Sequence, residues 1–582
     1  MEHNQHNPQP PTPKKKVSNA SLAVLMVALV IFAIGVILNL NFYIRSCKNT
    51  LNDQKFESDI EAAARMTGNP LTKEDIQLMK KSVKETQDEF LALRKHELAN
   101  EVFPALTLNP LLPFPSNAEV KRSPIVLPDM PGLKAPKNLD DLAFAPIGVL
   151  ARLIKTRQIT STDLTKMYIA RLKRFDPVLK CVVTLTEDLA LAQARRADDE
   201  IAAGKYRGPL HGIPWGAKDL LATKGIKTTW GTPPFKDQVL DMDATVVKRL
   251  EEAGAVLVAK LSLGELAWGD IWTGGQTKNP WNVKEGSSGS SAGPASAASA
   301  GLVGFAIGSE TWGSIVSPST RCGVTGLRPT YGRVSRYGAM CLASSMDKIG
   351  VICRNVEDCA LVFNAIYGPD GMDFTLVDRP FTWDPTLDIK TLRIGYMKGL
   401  FERDDKDYKN KANDQKVLDT LRSMGVKLIP VEFPTFPIDN LGFILSVEAG
   451  ASFDSFTRMG KERQMARQEE DAWPNVFRYS RLISAVDYVQ ANRFRTLLMI
   501  EMAKKFKDID VYLAPSHGTN NLLLTNLTGH PAVVVPNGFN EKGSPTSITF
   551  IGNLYGEANV LAVAKAYQDA AGFVNRHPQL KR

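Results

Sequence analysis

The chain has 582 residues, 44% hydrophobic and 23% charged, enough to bury a large core and in keeping with a folded enzyme. Its formal net charge of +9 is spread out, which excludes a nucleic-acid patch and leaves only a modest attraction to anionic membranes. Six cysteines (Cys47, Cys181, Cys322, Cys341, Cys353, Cys359) without a Cys-x-x-Cys motif exclude a disulfide scaffold and leave the redox compartment open, and the seven histidines show no metal-ligand spacing.

Residues 1–16 form a polar, Pro-rich tail that ends in three lysines, Lys14 to Lys16. From Val17 to Ile44 no charged residue occurs. At about 1.5 Å per residue a helix of that length would cross a core of roughly 30 Å with room to tilt. Tyr43 and Arg45 suit the far interface. The stretch is longer than a signal-peptide core, and Asn39, Asn41 and Phe42 make a poor cleavage site. The expectation is one uncleaved transmembrane anchor at 17–44. Lys14 to Lys16 would keep the N-terminus in the cytosol and put the remaining chain on the opposite side, a bias weakened by Arg45, Lys48 and Lys55.

Residues 45–140 read as a helical and Pro-rich arm. Thr72 opens a capping box with Asp75 before an amphipathic run to about Leu98, and Asn109 to Asn138 is rich in proline. Helices are expected near Ala145–Lys155, Thr162–Phe175 and Asp243–Ala253, with a buried strand at Val256–Ala259, an alternation typical of α/β folds. Between about 401 and 507 the chain reads as mainly helical, broken at Trp473-Pro474. It either caps a pocket or packs at the periphery. Asp508–Pro515 and Ala532–Pro536 read as late strands, and no internal repeat is evident.

Two segments carry chemistry. In His211-Gly-Ile-Pro-Trp-Gly-Ala-Lys218-Asp219 the lysine sits in a mostly apolar context. A lysine is ordinarily a solvated surface residue. A desolvated one loses its proton readily and serves as a base. Between Gly286 and Gly301 every residue except Pro294 is Gly, Ser or Ala, and the run leads into an apolar strand-like segment, Leu302–Ile307, and a second Gly/Ser turn, Gly308–Ser314. A flexible linker would be flanked by solvated sequence. Two small-residue turns around one buried element instead offer hydroxyls and backbone N–H groups for an anion or a serine nucleophile.

The pieces Gly-Ile-Pro-x-x-x-Lys-Asp, Gly-Ser-Ser-x-Gly and Gly-x-Glu-x-x-Gly-Ser-Ile resemble the amidase signature family, which includes fatty-acid amide hydrolase, bacterial amidases and the A subunit of the tRNA-dependent amidotransferase. The resemblance runs from about Asp141 to Tyr367, includes Arg328–Gly338, and resumes more weakly at Leu392–Tyr396 and Gly529–Pro536. It implies an α/β amidase signature fold, a central mixed, twisted β-sheet covered by helices, over residues 141–582. It also implies a Ser–cis-Ser–Lys triad whose nucleophile lies 24 positions after the first serine of the Gly-Ser-Ser-x-Gly motif. Ser314 lies 27 positions after Ser287 and 24 after Ser290. The resemblance thus assigns Ser314 as nucleophile, Ser290 as cis-serine and Lys218 as base. The backbone N–H groups of Thr311, Trp312, Gly313 and Ser314 become the oxyanion hole, with Ser291 and Glu310 in support. The chain departs from the family at Val316, where an arginine is common, at Trp312, usually small, and at Glu310, usually aspartate.

The implied reaction is acyl transfer from a small-molecule amide, with Lys218 drawing a proton through Ser290 from Ser314 as it attacks the carbonyl. No metal and no organic cofactor is needed, no nucleic-acid partner is expected, and the oligomeric state stays open. A rival reading takes Gly289-Ser-Ser-Ala-Gly293 as a nucleophile elbow with Ser291 and His517 or His530, but the polar, Pro280-containing stretch before it makes a poor strand. Three functions remain: a membrane-anchored amidohydrolase, which leads; a glutamine-dependent amidotransferase A subunit, whose ammonia a translocated domain could not deliver to a cytosolic partner and whose glutamine-carboxylate arginine cannot be placed; and an inactive anchored binding protein.

Overall fold

The computed structural model describes residues 19–68, 71–96, 105–106, 122–404, 406, 408–432 and 434–580. The polar tail at 1–16 and residues 109–121 of the Pro-rich stretch fall outside them. The chain forms two compact units, Met1–Lys80 and Lys81–Arg582.

In the first unit, α1 (Asn19–Met66) is one helix of 48 residues, and α2 (Lys73–Leu93), whose residues from Lys81 on belong to the second unit, begins with the expected capping box. The N–H of Thr72 donates to Asp75 Oδ2 at 2.8 Å, and that of Asp75 donates to Thr72 Oγ1 at 3.2 Å. Lys80 pairs with Glu57 at 3.1 Å.

The expected transmembrane helix is corrected here. Among the described residues no helix is long and apolar enough to cross a membrane. Asn39 and Asn41 interrupt the apolar run, with Asn39 Nδ2 donating to the Gly35 carbonyl at 3.1 Å. The helix then continues unbroken through Arg45, Lys48, Asp53, Lys55 and Glu57. The single-pass localisation, with the catalytic domain across the membrane from the N-terminus, falls with the helix that was its basis.

The second unit is built on one mixed sheet of eleven strands. The helices α3 (Ile147–Lys155) and α4 (Ser161–Leu179) match the expected pair within a few residues. They lead into β1 (Val182–Leu185), α5 (Glu187–Ala202) and β2 (Pro214–Lys218). Next come α6 (Thr245–Glu252), β3 (Val256–Leu261) and two small ribbons, β4 (Ile271–Trp272) with β5 (Gly275–Gln276) and β6 (Lys278–Asn279) with β7 (Asn282–Gly286). The centre continues with α7 (Ala292–Ser299), β8 (Phe305–Glu310), α8 (Val316–Cys322), β9 (Thr325–Arg328), β10 (Lys348–Cys353) and α9 (Val356–Ile366). The last strands are β11 (Ile394–Met397), β12 (Leu428–Val431), β13 (Val511–Pro515), β14 (Ala532–Phe539) and β15 (Pro545–Gly552). Their order is β1-β3-β2-β8-β10-β9-β14-β15-β13-β11-β12.

β2 runs parallel to both β3 and β8, and all five of its residues are buried. A parallel strand covered on both faces has no need of polar alternation. On one face Trp215, Ala217, Phe305 and Ile307 pack with residues of α3, α6 and α9. On the other, Val256, Val258 and Ala306 pack with α4, α5 and α7. Trp473-Pro474 starts the helix Trp473–Ser480 instead of breaking one, as suits proline at a first turn.

Candidate active site

The run of small residues is a buried helix and its approach. Every residue of α7 is buried against the sheet. A Cβ on Gly293 would lie 2.4 Å from the amide nitrogen of Ser262 and 2.6 Å from the carbonyl oxygen of Cys181. Backbone-to-backbone approach of that kind demands glycine, so the composition reflects packing and no linker is formed.

β2 ends at Lys218, whose side chain is fully buried. Its Nζ donates to Ser290 Oγ at 2.9 Å, Ser291 Oγ at 3.0 Å and Ser309 Oγ at 2.9 Å, and lies 3.3 Å from the Ser309 carbonyl. The adjacent Asp219 does not neutralise it. Asp219 pairs with buried Lys260 at 3.0 Å and accepts from the N–H and Oγ1 of Thr229. Burial therefore dominates at Lys218 and lowers its pKa to about 7, against the weaker upward pull of Asp347 and Glu310. An amine so placed holds and releases a proton near neutrality.

Ser290 follows a cis Gly289–Ser290 peptide bond. Ser314 is mostly buried, and its carbonyl accepts from the Ser291 N–H at 3.1 Å. Among the described residues no hydrogen bond joins the hydroxyls of Ser290 and Ser314, and none satisfies the N–H groups of Trp312, Gly313 or Ser314. The turn they form has φ +90° at Gly313, a conformation that suits glycine.

Glu310 braces that turn from behind. Its Oε2 accepts from the N–H groups of Ile315 and Val316 at 2.8 and 2.9 Å, and its Oε1 accepts from Arg328 at 2.6 Å and Asn526 at 2.8 Å. Burial alone would raise its pKa. Arg328 and these donors outweigh it and bring the carboxyl to about 2. Ser291 is fully engaged: besides Lys218, it accepts from the Ser309 N–H and donates to the Ser309 carbonyl. Among the described residues no histidine hydrogen-bonds to it, and the stretch before it is the short ribbon β7. The elbow reading has no geometric support.

Two residues were not foreseen. Ser309 is the third hydroxyl on Lys218. Asp347 is half-buried and accepts from Thr311 Oγ1 at 2.5 Å and from the N–H groups of Leu342 and Ala343. Burial pushes its carboxyl up. The Gly308-Ser309-Glu310 turn offered a weak signal for the first; nothing local marks Asp347.

Ser314 opens onto a cavity of about 550 Å³. Trp268, Trp312, Phe443, Leu445, Trp473 and Leu522 give it apolar walls, and Tyr479 with Thr86 of α2 adds hydroxyls. The 401–507 region thus lines the cavity through residues 439–446 and 473–479.

The site thus sets a buried amine on three hydroxyls, beside a turn with open N–H groups that lines a cavity, on an α/β sheet. The chain belongs to the amidase family, whose model, described as Amidase, matches residues 163–561. It is 36% identical to the A subunit of the glutamyl-tRNA(Gln) amidotransferase of Prochlorococcus marinus (strain MIT 9211), over 73% of this chain and 97% of that protein. It is 34% identical to the protein of the same name from Geobacter metallireducens, over 72% and 96%. Among solved structures it resembles native peptide amidase from Stenotrophomonas maltophilia, with TM-score 0.65 and 28% identity over 76% of this chain and 99% of that one. An amidase family protein from Bacillus anthracis gives TM-score 0.67 and 27% identity over 76% and 94%.

Proposed function

We propose that residues 141–582 form a catalytic domain that cleaves a carboxamide through an acyl-enzyme on Ser314. The observation that carries this is the buried Lys218 amine, with a pKa near 7, hydrogen-bonded to Ser290 Oγ at 2.9 Å. Neutral Lys218 takes a proton from Ser290, which takes one from Ser314 as its Oγ attacks the carbonyl carbon. The last transfer requires the two hydroxyls to close to hydrogen-bond reach in the substrate complex. The developing oxyanion accepts from the N–H groups of the 311–314 turn, each worth about 3 kcal/mol in the transition state. The proton returns to the departing nitrogen, and an acceptor then clears the acyl group from Ser314.

Two fates of the released ammonia divide the readings. In a free-standing amidohydrolase it leaves to solvent. In an amidotransferase A subunit it comes from glutamine and passes to a partner enzyme. The names of the relatives, matched over nearly their full length, support the second better. The objection that a translocated domain could not serve such a partner has gone with the anchor, and the tRNA in those names weakens the expectation that nucleic acid has no part. A cavity lining without lysine or arginine, among the described residues, still leaves the glutamine carboxylate without a counter-charge.

A fluorophosphonate probe should label the wild type at Ser314 and leave Ser314→Ala unlabelled; labelling at Ser291 would overturn the assignment. Glutaminase activity measured with and without an added amidotransferase partner separates the two fates. Stimulation by the partner selects the amidotransferase, and partner-independent cleavage of simple amides selects the hydrolase.

A further inference from the structure

The cavity over Ser314 is one-sided in charge. Its lining includes three carboxylates, Glu85 and Glu89 on α2 and Asp439 from the 401–507 region, and among the described residues no lysine or arginine lines it. In a chain of net charge +9 this is not the background composition. Two cations beside lining residues are already engaged. Lys81 pairs with Glu470 at 3.2 Å, and Arg467, over the Trp268 ring, is held by Glu469 and Asp471.

The three acids also act on one another. Burial, followed by the charges of Glu85 and Asp439, raises the Glu89 carboxyl to about 7. Asp439 accepts one hydrogen bond, from Asn520 at 2.8 Å, and the Glu89 carbonyl accepts from Asn440 at 3.1 Å, so backbone and side chains are fixed while the charges stay unbalanced. Trp473 is 5% exposed, and its Nε1–H has no partner among the described residues. A buried indole N–H on a cavity wall is costly unless something accepts from it. The wall therefore offers aromatic surface for an apolar segment, and carboxylates with no cation of their own.

We infer that the amide taken up at Ser314 carries a positively charged group, an amine or guanidine, at the end that faces Glu85, Glu89 and Asp439. This rests on the acyl-transfer reading of Ser314 and adds to it the charge of the substrate. A cation placed there would meet unbalanced negative charge, and a carboxylate there would be repelled. Free glutamine brings both signs, so its carboxylate would oppose its own binding.

The test uses matched amides on the full chain: butyramide, γ-aminobutyramide, glutaramate and L-glutamine, with octanamide, ω-aminooctanamide and suberamate as longer counterparts. γ-Aminobutyramide is glutamine without its carboxylate, and glutaramate is glutamine without its ammonium. At one length or the other, kcat/KM should be at least about fivefold higher for the ammonium member than for the neutral one, the size of a partly exposed ion pair. The carboxylate member should fall below the neutral one. The preference should shrink as salt is raised. In Glu85→Gln/Glu89→Gln/Asp439→Asn, and in each single variant if the triple one misfolds, the ammonium-to-carboxylate ratio should move towards one.

Equal rates for the three charge types, a preference for glutaramate and glutamine, or a ratio unchanged in the variants would overturn the inference while leaving the serine reading intact. If no amide is turned over, the serine reading fails instead. Calorimetric titration of the same series then decides the charge preference: tighter ammonium binding upholds it, and equal or weaker binding overturns it.

Discussion

At the scale of single residues, the proposed chemistry turns on Lys218, and its protonation would set the pH response. With a pKa near 7 it is neutral, and competent as a base, above that value. The kcat/KM of a chemistry-limited substrate should therefore fall as pH drops through about 7 and level off above it. A rate flat from about pH 5 to 9 would count against a lysine base. Lys218→Ala should lower the rate by about a thousandfold or more, with partial rescue by an added amine. Much of this was legible in the sequence, because Gly-Ile-Pro-x-x-x-Lys-Asp and Gly-Ser-Ser-x-Gly are local patterns. Choosing Ser290 over Ser287 needed only a spacing, and the cis bond lies at the chosen serine. Ser309 and Asp347 were not legible, since each matters only through what the sheet sets beside it. The register that pairs Lys348 with Glu310 puts Asp347 next to Thr311, and no local pattern encodes that pairing.

At the scale of elements, α7 shows how a composition that reads as a linker becomes a packing solution. Its small residues let the helix lie against β2, β3 and β8, and that closeness brings Ser290 and Ser291 to Lys218. Gly293→Ala should therefore destabilise the protein by at least about 2 kcal/mol, in the range of overpacked cores. It should also slow fluorophosphonate labelling of Ser314, because α7 can relieve the clash only by moving away from β3. A melting temperature within a degree of wild type, with labelling unchanged, would show that the close approach is not required. The strand β15 went unread although all eight of its residues are buried, since Pro545-Thr-Ser-Ile-Thr-Phe mixes polar and apolar positions that only its neighbours β13 and β14 cover. The anchor was misread for the complementary reason. An uncharged window reports composition over its own length and says nothing of where the helix ends.

For the whole molecule, the buried amine has a thermodynamic face apart from reactivity. The unfolded chain binds this proton with an ordinary lysine affinity, near 10.5, and the folded chain with one near 7. Folding is therefore opposed by the full difference below pH 7, and the opposition fades as pH rises through the window between the two values. At about 1.4 kcal/mol per unit, the penalty at low pH is on the order of 5 kcal/mol. The slope has the same sign as for a paired carboxylate such as Glu310, whose pKa folding also lowers, but the lysine contributes a penalty relieved as pH rises and the carboxylate a stabilisation lost as pH falls. Thermal melts of wild type and Lys218→Met across pH 6 to 10 isolate the lysine, since every other titrating group is common to both. The wild type should gain stability relative to the variant as pH rises, and a gap independent of pH would mean that the folded protein keeps the lysine charged. The sheet, with its two covering layers of helices, thus carries a penalty in stability at neutral pH, and the same side chain that would give the site its base contributes a stability term that improves as pH rises, against the buried tyrosines and thiols whose raised pKa values act in the opposite direction.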